Sequence, residues 1–113
     1  MLIHHVATAA DWERARATGS YTTSTRGRSL EQEGFLHAAR AEQVDGVLER
    51  WYADVTEPLV LLVVDTDRLD ELGIPWREDP VGDDTYPHVY GELPATAVGA
   101  VEPVTPGEPP SRA

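Results

Sequence analysis

The chain has 113 residues, contains neither cysteine nor lysine, and carries a net charge of −11 from nine arginines and twenty carboxylates. These absences exclude a thiolate nucleophile, a cysteine-based zinc site and Schiff-base chemistry on lysine. The negative field repels nucleic acid, and no apolar run approaches the ~20 residues that span a bilayer, so we expect neither nucleic-acid nor membrane partners.

Length and composition predict one domain. A chain of this size forms a single core, which we expect over residues 1–104, whereas the proline-rich segment 105–113 is predicted to be a disordered tail. The N-terminus shows no basic start followed by a long apolar stretch, so no leader peptide is indicated. We therefore expect a cytoplasmic protein.

The first part of the chain predicts a strand followed by a helix. Residues 2–6 are typical of a short strand. A helix is expected over residues 9–17, because Thr8 has the position of an N-cap and Gly19 follows the last turn. Residues 20–28, rich in serine, threonine and glycine, indicate a polar loop or a weak strand.

Cations are concentrated near this polar segment. Between residues 14 and 30 the chain has four arginines and no carboxylate. Arg14 and Arg16 fall in the last turns of the predicted helix, where cations suit the helix dipole. Arg26 and Arg28 fall in the polar segment, where helix chemistry gives no reason for them. They predict a local cationic edge that would bind a small anion such as a pyrophosphate.

The middle of the chain gives the clearest elements. A helix is expected over residues 41–52, where apolar side chains recur on one face and end in the pair Trp51 and Tyr52, which we expect in the core. Residues 59–64 are a continuous apolar run of strand length, which predicts a central strand buried on both faces. A short helix is expected over residues 66–72.

The last part predicts short strands. We expect them over residues 75–78, 88–90 and 98–104, with an acidic loop over residues 79–85 between the first two. Strands and helices that do not alternate regularly favour an α+β fold with two main helices over a doubly wound α/β fold.

The four histidines are the first candidates for chemistry. His4 and His5 are neighbours in a predicted strand and point to opposite faces, so only one of them should face a given crevice. His37 and His88 lie in short apolar segments, and an imidazole with a pKa near ~6.5 suits a general base at neutral pH. Compact metal-binding spacings such as H-x-x-x-H do not occur in the sequence, so no metal is expected.

Six short motifs occur in order along the chain. They are Ile3-His4-His5-Val6-Ala7, Ala10-Asp11-Trp12, Glu33-Gly34-Phe35-Leu36-His37, Ala41-Glu42-Gln43-Val44, Trp76-Arg77-Glu78 and Pro87-His88-Val89-Tyr90-Gly91. Together they resemble the pattern of domain of unknown function family 952, over about residues 2–103. The resemblance implies an ADP-ribosyltransferase-like fold, a small split β-structure with a crevice that holds NAD in relatives.

The resemblance also implies roles for individual residues. It places His5 at the NAD ribose and His37 in the motif that lines the nicotinamide side. The third position falls near His88 and Tyr90, where transferases of this fold carry a catalytic Glu that this chain lacks. Tyr90 or Trp76 would stack on a flat ring of the ligand.

Three functions remain open at this point. The leading hypothesis is a protein that binds NAD or an ADP-ribose-like ligand, with NAD as a substrate if it is an ADP-ribosyltransferase-like enzyme. The missing Glu favours instead a non-catalytic binding module of the same fold. The third hypothesis is an enzyme that acts on another small metabolite and uses His37 or His88 as its general base.

Overall fold

The computed structural model describes residues 1–25 and 27–104. Two sequence predictions, the anion-binding role of Arg26 and the disorder of the tail 105–113, lie outside the described residues. The described part contains four α-helices, α1 (Ala9–Thr18), α2 (Leu30–Glu33), α3 (Val44–Trp51) and α4 (Thr66–Glu71). It contains ten strands, β1 (Leu2–Thr8), β2 (Ser20–Tyr21), β3 (Thr23–Thr25), β4 (Arg28–Ser29), β5 (Leu36–His37), β6 (Leu59–Asp65), β7 (Trp76–Val81), β8 (Asp84–Val89), β9 (Leu93–Pro94) and β10 (Val98–Val104). Two short 3₁₀ turns lie at Ala41–Gln43 and Ala95–Ala97.

The strands of the described residues form two three-stranded and two two-stranded sheets. In the first, β6 lies between β1 and β10, and in the second, β8 lies between β5 and β7. The remaining pairs are β2 with β9 and β3 with β4. Every pairing is antiparallel. This is a mixed α/β architecture built on antiparallel sheets, which confirms the coarse fold class expected from the sequence.

The central strand β6 is covered on both faces, as its continuous apolar sequence predicts. Leu62 and Val64 belong to one buried cluster, which also contains Leu36 and Val89 from the second sheet. Leu61, on the opposite face of the strand, belongs to a second buried cluster packed beneath α3. Antiparallel strands usually alternate apolar and polar residues, and β6 departs from that pattern because it has no solvated face.

The helix boundaries follow from capping chemistry visible in the sequence. The hydroxyl of Thr8 accepts a hydrogen bond from the backbone N–H of Asp11 at 3.1 Å, which satisfies one free donor of α1. Gly19 ends α1 with φ 91°, a left-handed conformation that favours glycine. Both features confirm the predicted helix over residues 9–17, which extends one residue further.

Two further predictions are wrong. Residues 79–85 do not form an acidic loop, because most of them belong to the hairpin of β7 and β8, which turns at Gly82 with φ 62°. Trp51 does not lie in the core, since it is 54% exposed, whereas its neighbour Tyr52 is buried. No helix of the described residues is both long enough and apolar enough to cross a membrane.

Candidate functional site

The register of the second sheet brings His37 and His88 side by side. In the antiparallel pair of β5 and β8, His37 lies opposite His88 and Leu36 lies opposite Val89. Directly opposed residues share a face, so both imidazoles lie on one side of the sheet while Leu36 and Val89 enter the core on the other. The two ring centroids are 5.2 Å apart in an edge-to-face arrangement.

The segment that follows β5 joins the sheet of β5, β8 and β7 to strand β1, at the edge of the sheet of β1, β6 and β10. Ala39 exchanges two backbone hydrogen bonds with His4 of β1, at 2.8 and 2.7 Å. Ala38 and Ala39 are both buried, and their small side chains let the two backbones approach. The consequence is that His37 comes to lie next to His5, 32 residues away in the sequence.

A cavity of about 350 Å³ opens where these strands meet. We call it the histidine cavity. Its wall takes residues from β1, β3, α2, β5, α3, β7 and β8, with four histidines among them, His4, His5, His37 and His88. Both His4 and His5 line this cavity, although neighbours on a strand direct their side chains to opposite faces.

His5 is fully paired within the protein. Its Nδ1–H donates to the backbone carbonyl of His37, and its Nε2 accepts a hydrogen bond from the hydroxyl of Tyr21 at 2.9 Å. Burial lowers the pKa of His5 to about 4, and burial also raises the pKa of the Tyr21 phenol. His5 is therefore a neutral ring with a fixed tautomer that joins β1 to β5.

His88 is paired on one side only. Its Nδ1 lies 2.8 Å from Oδ2 of Asp79, and its side chain is 5% exposed. Within the described part of the chain, Nε2 is buried and has no hydrogen-bond partner. Burial lowers the pKa of His88 against the opposing influence of Asp79. The ring is therefore neutral near pH 7, protonated on Nδ1, with a free acceptor on Nε2.

Asp79 is held as a carboxylate by three donors. The Tyr90 hydroxyl, His88 and the Arg77 guanidinium, whose Nε lies 3.0 Å from Oδ1, all donate to it. These hydrogen bonds, that of Tyr90 first, hold the pKa of Asp79 below its usual range. An ionised carboxylate only accepts, so Asp79 fixes the tautomer of His88.

His37 has a carboxylate of its own. Its Nε2 lies 3.2 Å from Oε1 of Glu33, which also lines the cavity. The second oxygen of Glu33 binds Arg28, with Nη2 at 2.9 Å. Hydrogen bonds from His37 first and Arg28 second hold the pKa of Glu33 below its usual range. Arg28 therefore contacts the site through Glu33. It is not among the residues that line the histidine cavity.

The predicted stacking residues lie outside the cavity wall. Tyr90 donates to Asp79, and its ring lies beneath the Arg77 guanidinium, 4.3 Å from the ring centroid. Trp76 packs against the core, and its indole N–H donates to Asp70 at 3.0 Å. Tyr90 thus supports His88 through Asp79, while Trp76 has a structural position.

Sequence reasoning missed three residues of the site. The sequence predicts a loop at Asp79, indicates no role for Glu33, and contains Phe35 only as part of a motif. Phe35 stacks on His88 with centroids 4.0 Å apart and planes at 22°, and it contacts His37 edge-on. The spacing of Phe35, just before β5, and His37 was the available signal, because alternate residues of an extended segment share a face. No group of three or more histidine and carboxylate side chains in the described ranges has the arrangement of a metal site.

Comparisons with known proteins give a family match and matches to solved structures. The family model described as "Protein of unknown function (DUF952)" matches residues 6–101. A crystal structure of protein CC0527 from Caulobacter crescentus is similar with a TM-score of 0.76 and 27% identity, covering 93% of this chain and 87% of that one. A solution NMR structure of CC0527 gives 0.68 and 28%, covering 88% and 81%. The search of curated proteins gives no match.

Proposed function

This chain belongs to the DUF952 family, and from the geometry of its histidine cavity we propose that it binds a ribose-bearing ligand of the NAD or ADP-ribose type. One observation carries the proposal. His88 lines a cavity of about 350 Å³, and its buried, neutral Nε2 acceptor has no partner among the described residues. In this proposal a hydroxyl of the ligand donates a hydrogen bond to Nε2 of His88.

The energetic argument is that an unpaired buried acceptor is costly. Leaving such a group unsatisfied costs about 1–3 kcal/mol, and proteins pair nearly all buried polar groups. Here the surrounding protein instead fixes the acceptor in place, since Asp79 sets the tautomer and Phe35 stacks on the ring. A donor supplied by a ligand would recover the lost hydrogen bond, and sugar hydroxyls are such donors.

The cavity volume supports one half of a dinucleotide. Small-molecule sites span roughly 300–1,000 Å³, so a cavity at the lower end of this range suits a nucleoside-sized group. In this proposal a ribose and its attached ring enter the cavity, and the remainder of the ligand lies outside it. The family resemblance to ADP-ribosyltransferase-like folds supports the same ligand class by analogy.

Catalysis is proposed to depend on histidine and not on the Glu that transferases of that fold carry. His88 has the Nδ1–carboxylate support that a general base needs, and its Nε2 is free to take a proton from a hydroxyl. His37 lies beside it in van der Waals reach. If the protein binds the ligand without converting it, the protein is a non-catalytic module. Nε2 of His88 then still accepts a hydrogen bond from the ligand.

A calorimetric titration with NAD, ADP-ribose and nicotinamide tests the proposal. We expect saturable binding of at least one ribose-bearing compound, and no comparable binding of nicotinamide alone. The His88→Gln variant should weaken that binding by roughly tenfold or more, because a hydrogen bond to a buried acceptor is lost. Product analysis of the NAD sample then separates an enzyme from a module.

The matched control is His4→Gln, which changes a second buried histidine of the same cavity wall. His4 hydrogen-bonds the Ala39 carbonyl through Nδ1 at 3.3 Å, so it has a structural partner and should tolerate the change in a ligand titration. Absence of binding by all three compounds, or equal loss in both variants, would overturn the assignment of Nε2.

A further inference from the structure

The helix α3 has a second face beside the one that packs into the core. Val44 and Leu48 are buried in the core, as the helical spacing predicts. Val47, Arg50 and Trp51 follow one another at i, i+3 and i+4, so they share another face, and all three line the histidine cavity. The exposed ring of Trp51 therefore lies at the opening of this cavity, where the helical spacing alone predicts a core residue.

Arg50 differs from the other described arginines in its charge pairing. Each of those six pairs with a carboxylate of the protein: Arg14 with Asp11, Arg16 with Glu13, Arg28 with Glu33, Arg40 with Glu78, Arg68 with Glu71 and Arg77 with Asp79. Within residues 1–25 and 27–104, Arg50 forms no ion pair. Its guanidinium is therefore available to an anion that comes from outside the protein.

The charges around the cavity favour an anion at its opening. Apart from the histidines, Glu33 and Arg50 are the charged side chains among the described residues that line the histidine cavity. The carboxylate of Glu33 accepts hydrogen bonds from His37 and Arg28, and the Arg28 guanidinium offsets its charge. The Arg50 guanidinium keeps its charge uncompensated, and its planar fork of N–H donors matches the oxygens of a phosphate.

Trp51 adds a flat apolar surface at the same opening. It is 54% exposed, although tryptophan is highly buried on average in folded proteins. Trp51 also lines a second cavity of about 790 Å³, so its side chain lies at the boundary of the two cavities. Stacking on an exposed aromatic side chain is a general way to bind a nucleobase or another flat ring.

From these observations we propose that Arg50 and Trp51 form a subsite for a phosphorylated ligand at the opening of the histidine cavity. Arg50 binds the phosphate or diphosphate, and Trp51 stacks on a flat ring of the same molecule. The inference rests on the proposed function only in that a ligand occupies this cavity, and it requires no contact with the buried His88. It specifies a nucleotide and not a nucleoside, which for ADP-ribose places the diphosphate at Arg50 and the adenine on Trp51.

Calorimetric titrations with ADP-ribose, 1-naphthyl phosphate and adenosine test the subsite. All three probes contain a flat ring, but adenosine has no phosphate, so wild type should bind it more weakly than the other two. Arg50→Gln should weaken binding of the phosphorylated probes about tenfold at about 20 mM salt and clearly less at about 500 mM salt, because salt screens exposed charges. Its affinity for adenosine should equal that of wild type.

The ring is tested with Trp51→Leu, which should weaken binding of all three probes by about tenfold, and with Trp51→Phe, which should recover part of that loss. The matched control for charge is Arg68→Gln. It also removes an exposed arginine from the last turn of a helix, but Arg68 lies away from the cavity wall, so all three affinities should stay unchanged. Because Arg50 and Trp51 are exposed, each variant should melt close to wild type.

The outcomes separate this inference from the proposed function. Binding of ADP-ribose that neither Arg50→Gln nor Trp51→Leu weakens overturns the subsite and leaves the proposed ligand class standing. Binding of 1-naphthyl phosphate that depends on both residues, without binding of ADP-ribose, supports the subsite and removes the ribose from the proposal. A loss in Arg50→Gln that is as large for adenosine as for the phosphorylated probes, or no binding of any probe, overturns the subsite.

Discussion

The β1 wall and the β5–β8 wall of the histidine cavity each contain a buried imidazole, and the two are treated differently. On β1, His5 uses both nitrogens inside the protein, through Tyr21 and the His37 carbonyl. On β8, His88 uses Nδ1 alone and keeps Nε2 without a partner among the described residues. The first arrangement stabilises the fold, and the second leaves a buried acceptor without a partner among the described residues, at a cost to stability.

The two histidines therefore differ in their hydrogen bonding and not in their burial. His5 and His88 are 5% and 4% exposed, so burial alone does not distinguish them. The pairing of the second nitrogen does. Each prediction below breaks or sharpens this contrast, beginning with the largest expected effect.

The largest effect is expected from matched leucine substitutions at the two histidines. His5→Leu removes the hydrogen bonds of His5 to the Tyr21 hydroxyl and to the His37 carbonyl, and it should lower the free energy of unfolding by about 2–4 kcal/mol. His88→Leu removes the unpaired acceptor and leaves Asp79 with Tyr90 and Arg77, so its cost should be smaller by about 2 kcal/mol. Urea unfolding at pH 7.5 measures both. Equal costs would contradict the contrast.

The next effect is on the pH dependence of stability. The folded pKa of His5 is about 4, whereas an unfolded imidazole titrates near ~6.5. The unfolded chain therefore binds a proton first as the pH falls, and His5 should remove up to about 3 kcal/mol between pH 6.5 and 4. The lowered pKa of His88 acts in the same direction.

Urea titrations between pH 5 and pH 7 isolate the imidazoles, because the carboxylates titrate mainly below this range. In wild type the unfolding free energy should fall with decreasing pH, and His5→Leu should show a clearly shallower slope. An unchanged slope in His5→Leu would show that His5 is not held neutral by burial.

A smaller effect is expected from Asp79→Asn. Asp79 raises the pKa of His88 through its hydrogen bond and its charge, so the variant should move the His88 pKa further below its ordinary value. It also replaces a carboxylate, which only accepts, with an amide that can accept or donate, so the Nδ1–H tautomer is no longer enforced. Titration of the ring by NMR is the measurement, and a His88 pKa that stays constant or rises would argue against the Asp79–His88 pair.

The smallest effect is expected from Tyr90→Phe. The Tyr90 hydrogen bond is the leading cause of the lowered pKa of Asp79, so the variant should raise the Asp79 pKa towards its ordinary value. Asp79 keeps His88 and Arg77 as donors, and the melting temperature should change by less than ~5 °C. A carboxyl titration identical to wild type would remove Tyr90 from the support of His88.

Much of the fold could be predicted because its signals are local. Thr8 and Gly19 bound the first helix, Gly73 follows the short helix α4, and the apolar run of β6 is central. The hairpin over residues 79–85 was missed because its acidic composition resembles a loop. Its Gly82-Asp83 turn is nevertheless a two-residue connection of the kind that joins antiparallel strands.

Because the hairpin was not predicted, the carboxylate that pairs with His88 could not be predicted either. His37 and His88 could be singled out as residue types, and the described structure places both on one wall. Their carboxylates could not be assigned, because Asp79 reaches His88 only through the β7–β8 register and Glu33 reaches His37 only through the turn after α2. Trp51 was assigned to the core from its helical spacing, but the end of α3 leaves it largely exposed.

The most direct test of the central claim is the ¹⁵N NMR spectrum of the His88 imidazole at pH 7, before and after addition of ADP-ribose. A neutral ring protonated on Nδ1, with an Nε2 resonance that shifts towards the hydrogen-bonded range on titration, is the predicted result. A ring protonated on Nε2, a charged ring, or an Nε2 resonance that does not respond to a ligand seen to bind would contradict the assignment of this atom as the ligand's acceptor.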